Sequence, residues 1–180
     1  LLVKQISDRI KKEAELTMNK IRGIARHIRN VEDNCLILGE KLIARGDIDL
    51  GHKLIANGYI HDASKFHGIE WDNMAPGTPS KEESAKLKLK LAIQHHNTTN
   101  FHHPEHWTSI HLMPKLFCAE MVCDWKSRSE EFGTSLREWI DNDATGRFNF
   151  TKDDVIYKTI MEFVDLLCNK PLEQITGDLK

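Results

Sequence analysis

The chain has 180 residues, 40% of them hydrophobic, which is enough to enclose one sizeable core and argues against a second independent domain. Its 25 basic and 27 acidic residues leave a formal charge of -2, which excludes a broad field that would draw the protein onto nucleic acid or anionic lipid, so phosphate recognition must be local. No apolar run approaches the roughly 18 residues of a membrane span, residues Leu1 to Lys4 lack a signal-peptide core, and Cys35, Cys118, Cys123 and Cys168 lack paired zinc spacing, all of which points to a reducing cytoplasm.

Apolar residues recur at helical spacing over 3–45, among them Ile6, Ile10, Leu16, Ile24, Ile28 and Leu38. Gly23 marks a break, so two helices are expected, the second carrying His27. Asp47 predicts the cap of a short helix over about 48–57 that Gly58 ends, and a further short helix covers 60–66. Pro76, Gly77 and Pro79 predict a loop over 73–80, followed by a helix over about 81–96 whose Lys81, Lys86, Lys88 and Lys90 read as a solvated face. Pro104 suits the first turn of a long helix to about Ser129, kinked at Pro114. Ser135 with Glu138, and Thr151 with Asp154, form capping-box patterns for helices over about 135–143 and 152–168. Nothing reads as a set of strands. The expected class is all-α, a compact single-domain helical bundle spanning 1–180.

Ten histidines are more than average composition supplies, and most lie within residues 52–111. His61 and Asp62 are adjacent, so on a helix they point about 100° apart, and they grip one ion only from that helix's end or edge. His27 and Asp124 fall on separate predicted helices. Mixed nitrogen and oxygen donors with room for water suit a divalent transition ion such as manganese, iron, cobalt, nickel or zinc, which activates water and polarises a phosphoryl oxygen. A carboxylate at Asp124, between Cys123 and Trp125 in an apolar stretch, is costly to bury without a cation.

The order His27, His61-Asp62, Asp124 resembles the HD superfamily of metal-dependent phosphohydrolases. The segment His61-Asp62-Ala63-Ser64-Lys65 is similar to the His-Asp-x-x-Lys signature of some cyclic-dinucleotide phosphodiesterases, and to the related segment of HD-type 5′-deoxynucleotidases, which carry an acidic residue where Lys65 stands. A closer likeness, over about residues 20–165, is to phage and bacterial HD-like proteins with a His-Asp-x-Ser-Lys segment followed by His-His-Pro-Glu-aromatic-Trp, here His102-His103-Pro104-Glu105-His106-Trp107. The resemblance implies a helical fold of the HD type with His27, His61, Asp62 and Asp124 as metal ligands. It also implies that His95, His96 and His102 belong where binuclear members hold a second ion, with Asp62 bridging, so one or two ions are expected.

The implied reaction is hydrolysis of a phosphoester in a small nucleotide or nucleotide-like molecule. The setting is the cytoplasm, a host's if the chain is phage-encoded, with no membrane and no extended nucleic acid as partner. Lys65, close to Asp62, is assigned a phosphate contact that serves both binding and catalysis, His102 and His103 contact substrate, and Glu70 is a candidate proton-transfer group. Two rival readings use the same residues: a di-iron oxygenase, and a nucleotide-binding or interaction protein with a structural metal and no turnover. The plainer expectations are surface roles for His67, Glu70 and Asp72, structural roles for His52, His106 and His111, and core or pocket-wall roles for Trp71, Trp107, Trp125 and Trp139. Oligomeric state is left open, a homodimer included.

Overall fold

No proline precedes Pro76, so nothing in the first 45 residues removes a backbone donor. The computed structural model, which describes residues 2–74, 81–169 and 171, accordingly shows one uninterrupted helix, α1 (Leu2–Arg45). The break expected at Gly23 does not occur, because a single interior glycine costs only about 1 kcal/mol relative to alanine and does not stop a long helix. The chain continues through α2 (Ile48–Ile60), a 3₁₀ turn (Ala63–Phe66), α3 (Gly68–Asn73) and α4 (Glu83–Thr99). Two more 3₁₀ turns (Pro104–His106 and Ile110–Leu112) lead to α5 (Lys115–Phe132). Then α6 (Leu136–Trp139) passes through a π-helical turn (Ile140–Ala144) into α7 (Thr145–Phe148), and α8 (Val155–Asn169) follows. Among the described residues there is no strand, and no helix is long and apolar enough to cross a membrane.

Several boundaries depart from expectation for identifiable reasons. Pro104 opens only a 3₁₀ turn, and the long helix starts after Pro114, because a proline forces the residue before it, Met113 (φ -67°, ψ 123°), into extended backbone. Gly58 lies inside α2 and does not end it. Asp47 precedes α2 without capping it, since its carboxylate accepts from Arg45 Nε at 2.9 Å. Ser135 does accept from the Glu138 amide, whereas at Thr151 only the acid half of the box forms, with Asp154 accepting from the Thr151 amide at 2.6 Å. Most of the loop expected over 73–80 lies outside the described residues.

The chain forms two compact units, Leu1–His27 with Ala63–His96 and Ile28–Asp62 with Asn97–Lys180. The second holds the apolar core, in which Leu38, Leu42 and Leu54 of α1 and α2, Met121 and Val122 of α5, and Ile160, Phe163 and Val164 of α8 are buried. Three glycines let α1 and α2 approach closely: a Cβ on Gly58 would lie 2.5 Å from Cys35 Cβ, and one on Gly51 2.5 Å from the Gly39 carbonyl oxygen. Asn34 Nδ2 donates to Ser127 Oγ at 2.9 Å and ties α1 to α5, while Lys41 Nζ donates to the carbonyls of Leu166 and Leu167 near the C-terminal end of α8. Burial pushes the Cys118 thiol up to about 12, which suits a core side chain and not a reactive one.

The first unit is organised differently. Ile24 and Ala92 are its buried apolar residues among those described, alongside His27, Lys65, Glu70 and His96. Lys20 lies over the Trp71 ring, 4.2 Å from its centroid, a cation–π contact.

The glycine contacts lead to a paired expectation. Gly58→Ala drives a methyl into Cys35 and should destabilise by about 1–3 kcal/mol. Gly146→Ala meets open space in α7 and should be neutral or stabilise by up to about 1 kcal/mol. Thermal unfolding of both variants checks this, and equal melting shifts would refute the close packing of α1 on α2.

Candidate metal centre

The close packing of α2 brings its C-terminal end into the interior, and the His-Asp pair sits at that end. His61 is the C-cap residue (φ -49°, ψ 134°), and Asp62 turns into left-handed backbone at φ 54°. A non-glycine residue there carries strain of order 1–3 kcal/mol, though aspartate tolerates it better than most. The turn aims two neighbouring side chains at one place, and both are buried. On α5, Glu120 and Asp124 are one turn apart and share a face. His102 arrives from the segment after α4, held just before the buried Pro104.

These residues, all in the second unit, form one connected set. Glu120 Oε1 lies 3.0 Å from His61 Nδ1 and 3.2 Å from His102 Nδ1, while Glu120 Oε2 accepts from Asn57 Nδ2 at 2.9 Å. The opposite nitrogens of the two rings turn to Asp62: His61 Nε2 is 3.4 Å from Oδ2, and His102 Nε2 is 3.5 Å from Oδ1. Asp62 thus divides its two oxygens between two imidazoles whose centroids are 4.3 Å apart. Asp124 Oδ1 is 4.0 Å from His61 Nε2, and one donor atom each of Asp62, His102 and His103 lie within 4.8 Å of one another.

The charge state follows from the same contacts. Burial pushes the Glu120 carboxyl upward, but its bonds to His102 and His61 outweigh that and hold it at about 2, so it is ionised at neutral pH. An ionised carboxylate only accepts, so each facing Nδ1 must carry a proton, and in a neutral imidazole Nε2 is then the lone pair. Burial lowers the His61 pKa, yet Asp62, Glu120 and Asp124 together raise it well above the ordinary histidine value. Three carboxyl groups face two imidazoles in this set, so its acidic groups outnumber its basic ones.

A divalent ion on the Nε2 side would answer both features. Nitrogen and carboxylate oxygen donors are present, and donors about 2.0–2.2 Å from an ion are themselves separated by roughly 3–4 Å, the spacing found here. Glu120 would then serve as the orienting carboxylate behind two ligands, a usual arrangement at histidine metal sites. Sequence reasoning missed Glu120 and Asn57. The available signal was a second acid one turn before Asp124 in an otherwise apolar stretch, and an amide one turn before His61.

The first unit repeats the motif with different residues. Glu70, expected at the surface, is 1% exposed because its carboxylate is enclosed by polar partners. Oε1 lies 2.9 Å from His95 Nδ1, Oε2 lies 2.8 Å from His96 Nδ1, and Ser64 Oγ donates to Oε2 at 2.9 Å. The two histidines differ: His96 is buried, whereas the His95 side chain is 48% exposed. His27 and Lys65 are buried in this unit as well, so Lys65 is not a surface lysine. His67, Asp72, His52 and His111 are exposed, and His106 Nδ1 donates to the Thr98 carbonyl at 2.7 Å, a structural role.

A cavity of about 280 Å³ opens beside Asp124 and His103 within the second unit. Trp125, Trp139 and Phe148 line it, Trp125 lying nearly parallel to Phe148 (10°, centroids 5.7 Å) and edge-on to Trp139 at 4.7 Å. Arg128 and Arg147 bring positive charge to its exposed side.

If Glu120 orients two ligands, Glu120→Gln, which keeps the shape and removes the charge, should weaken manganese or zinc binding by about 10- to 100-fold. A metal titration followed by calorimetry, with helicity checked by circular dichroism, measures this. Unchanged affinity in the folded variant would contradict the role given to Glu120.

No curated protein and no solved structure matches the chain. A family model matches residues 17–168, a span that covers both carboxylate–histidine sets and the aromatic cavity. The chain belongs to that family, DUF5662, a family of unknown function.

Proposed function

We propose that the protein is a metal-dependent phosphohydrolase of the HD type that cleaves a small nucleotide-like phosphoester. The observation that carries this reading is Asp62, which directs one oxygen to His61 Nε2 and the other to His102 Nε2, in a buried set that reaches the cavity through Asp124 and His103. With its oxygens divided between two imidazoles, Asp62 would hold one or two ions of manganese, iron, cobalt, nickel or zinc together with them. When bound, such an ion supplies Lewis-acid polarisation of a phosphoryl oxygen and makes water acidic enough to react near neutral pH.

The chain's own residues supply the rest. Glu120 fixes the tautomer and direction of His61 and His102, so neither ring must reorient during the reaction. His102 is engaged on both ring nitrogens and belongs with the ligands, which leaves His103, a cavity-lining residue, as the substrate contact of that pair. Asp124 also lines the cavity, so the ligand set would present its metal to a substrate held there. The sequence resemblance implies His27, His95 and His96 as further ligands. It also makes Lys65 a phosphate contact, a role that the burial of this lysine favours over a solvated one.

The direct test is a screen of nucleoside phosphates with manganese-loaded protein, read as phosphate release. His61→Ala and Asp62→Ala should lose most of their metal and the activity together. Lys65→Ala should keep its metal but lose about 30- to 1000-fold in kcat, or raise KM instead if the contact is made equally in the ground state. Oxygen uptake by iron-loaded protein without phosphate release would replace this reading with the oxygenase, and neither activity would leave a binding protein.

A further inference from the structure

The cavity beside Asp124 has a construction that the metal centre alone does not explain. Successive turns of α5 place Asp124, Arg128 and Phe132 along one stripe, so the stripe runs about 12 Å at 1.5 Å per residue. Its inner end is a buried carboxylate of the candidate metal set, its middle carries a guanidinium, and its outer end is an aromatic residue 73% exposed. Opposite stand Trp139 and Phe148, both only half-buried. An aromatic cluster serving only as core would be sealed; this one lines a space lined also by charged side chains. Its volume of about 280 Å³ lies just below the usual range of ligand pockets, roughly 300 to 1,000 Å³, so it accommodates one small molecule and not a dinucleotide.

We propose that this cavity is the recognition pocket for a nucleoside monophosphate, with the base against the half-buried Trp139 ring and the phosphate at the Asp124 end within reach of Arg128. The assignment of the phosphate end rests on the phosphohydrolase reading; the ring pocket is testable without turnover. Aromatic faces accept a flat heterocycle by stacking, which is tolerant of base identity. Arg128 donates Nη1 to Glu131 at 2.9 Å, and its planar fork has five donors, so a phosphate oxygen can be met without giving up that pair. Arg147 is held over the Phe148 ring at 4.9 Å and donates to Glu105 at 3.1 Å, which steadies the aromatic wall.

The test uses metal-loaded full-length protein and phosphonate analogues of the four common nucleoside monophosphates, in which a methylene replaces the ester oxygen and blocks hydrolysis. Ribose 5-phosphate, as the matching phosphonate, serves as the comparison without a base. At least one analogue should bind at least tenfold tighter than ribose 5-phosphate and quench tryptophan fluorescence. Trp139→Ala should weaken that binding by about 10- to 100-fold, and Arg128→Gln, at an exposed position that does not endanger folding, by about tenfold. Equal affinities for the analogues and ribose 5-phosphate would overturn the proposal, as would wild-type binding in folded Trp139→Ala and Arg128→Gln. Tight analogue binding without phosphate release from any nucleotide would uphold the pocket while defeating the hydrolase reading. Phosphate release with no preference for a base would do the reverse.

Discussion

Glu120 takes hold of two imidazoles by the same edge. With His61 and His102 both fixed at Nδ1, the two Nε2 atoms have one direction left, and both face Asp62. Everything chemical about the site depends on that constraint: which nitrogen carries a proton, which carries a lone pair, and where nitrogen and oxygen donors converge. Asn57 restrains the other Glu120 oxygen, so the orienting carboxylate is itself oriented.

The scaffold exists to make that geometry available in the interior. Glycines at the α1–α2 contact allow a separation that larger side chains would forbid, and α2 ends where the chain must turn sharply. Asp62 carries the turn in left-handed backbone, and the strain is tolerated because the turn delivers two adjacent donors to one point. The apolar packing of α5 against α8 holds Glu120 and Asp124 steady on the facing side. The first unit has little apolar core and relies on Glu70 bridging His95 and His96, the same device in a second place.

How much of this was legible beforehand depended on the kind of signal. His61, Asp62 and Asp124 stood out because residue type and order both point to a metal, and the all-helical class followed from apolar spacing. The choice within each histidine pair was not legible, since adjacent residues look alike in sequence and only burial separates His96 from His95 and His102 from His103. Glu120 escaped because a helical glutamate is ordinarily solvated, and its burial depends on a partner 59 positions away. Gly23 and Gly58 misled for different reasons: a single interior glycine costs too little to stop a helix as long as α1, and at Gly58 packing against Cys35 is why the glycine is there. The aromatic pocket needed Trp125 and Phe148 to stack across a turn whose π-helical geometry no propensity rule anticipates.

The central claim is that metal binds on the Nε2 side of His61 and His102, with Asp62 between them and Glu120 behind. Anomalous scattering from crystals grown with manganese measures this directly. The account predicts a peak within bonding distance of Asp62 and of at least one of the two Nε2 atoms, and none at the Nδ1 edges. A peak between Glu120 and the Nδ1 atoms, or no peak at this set under saturating manganese, would contradict it.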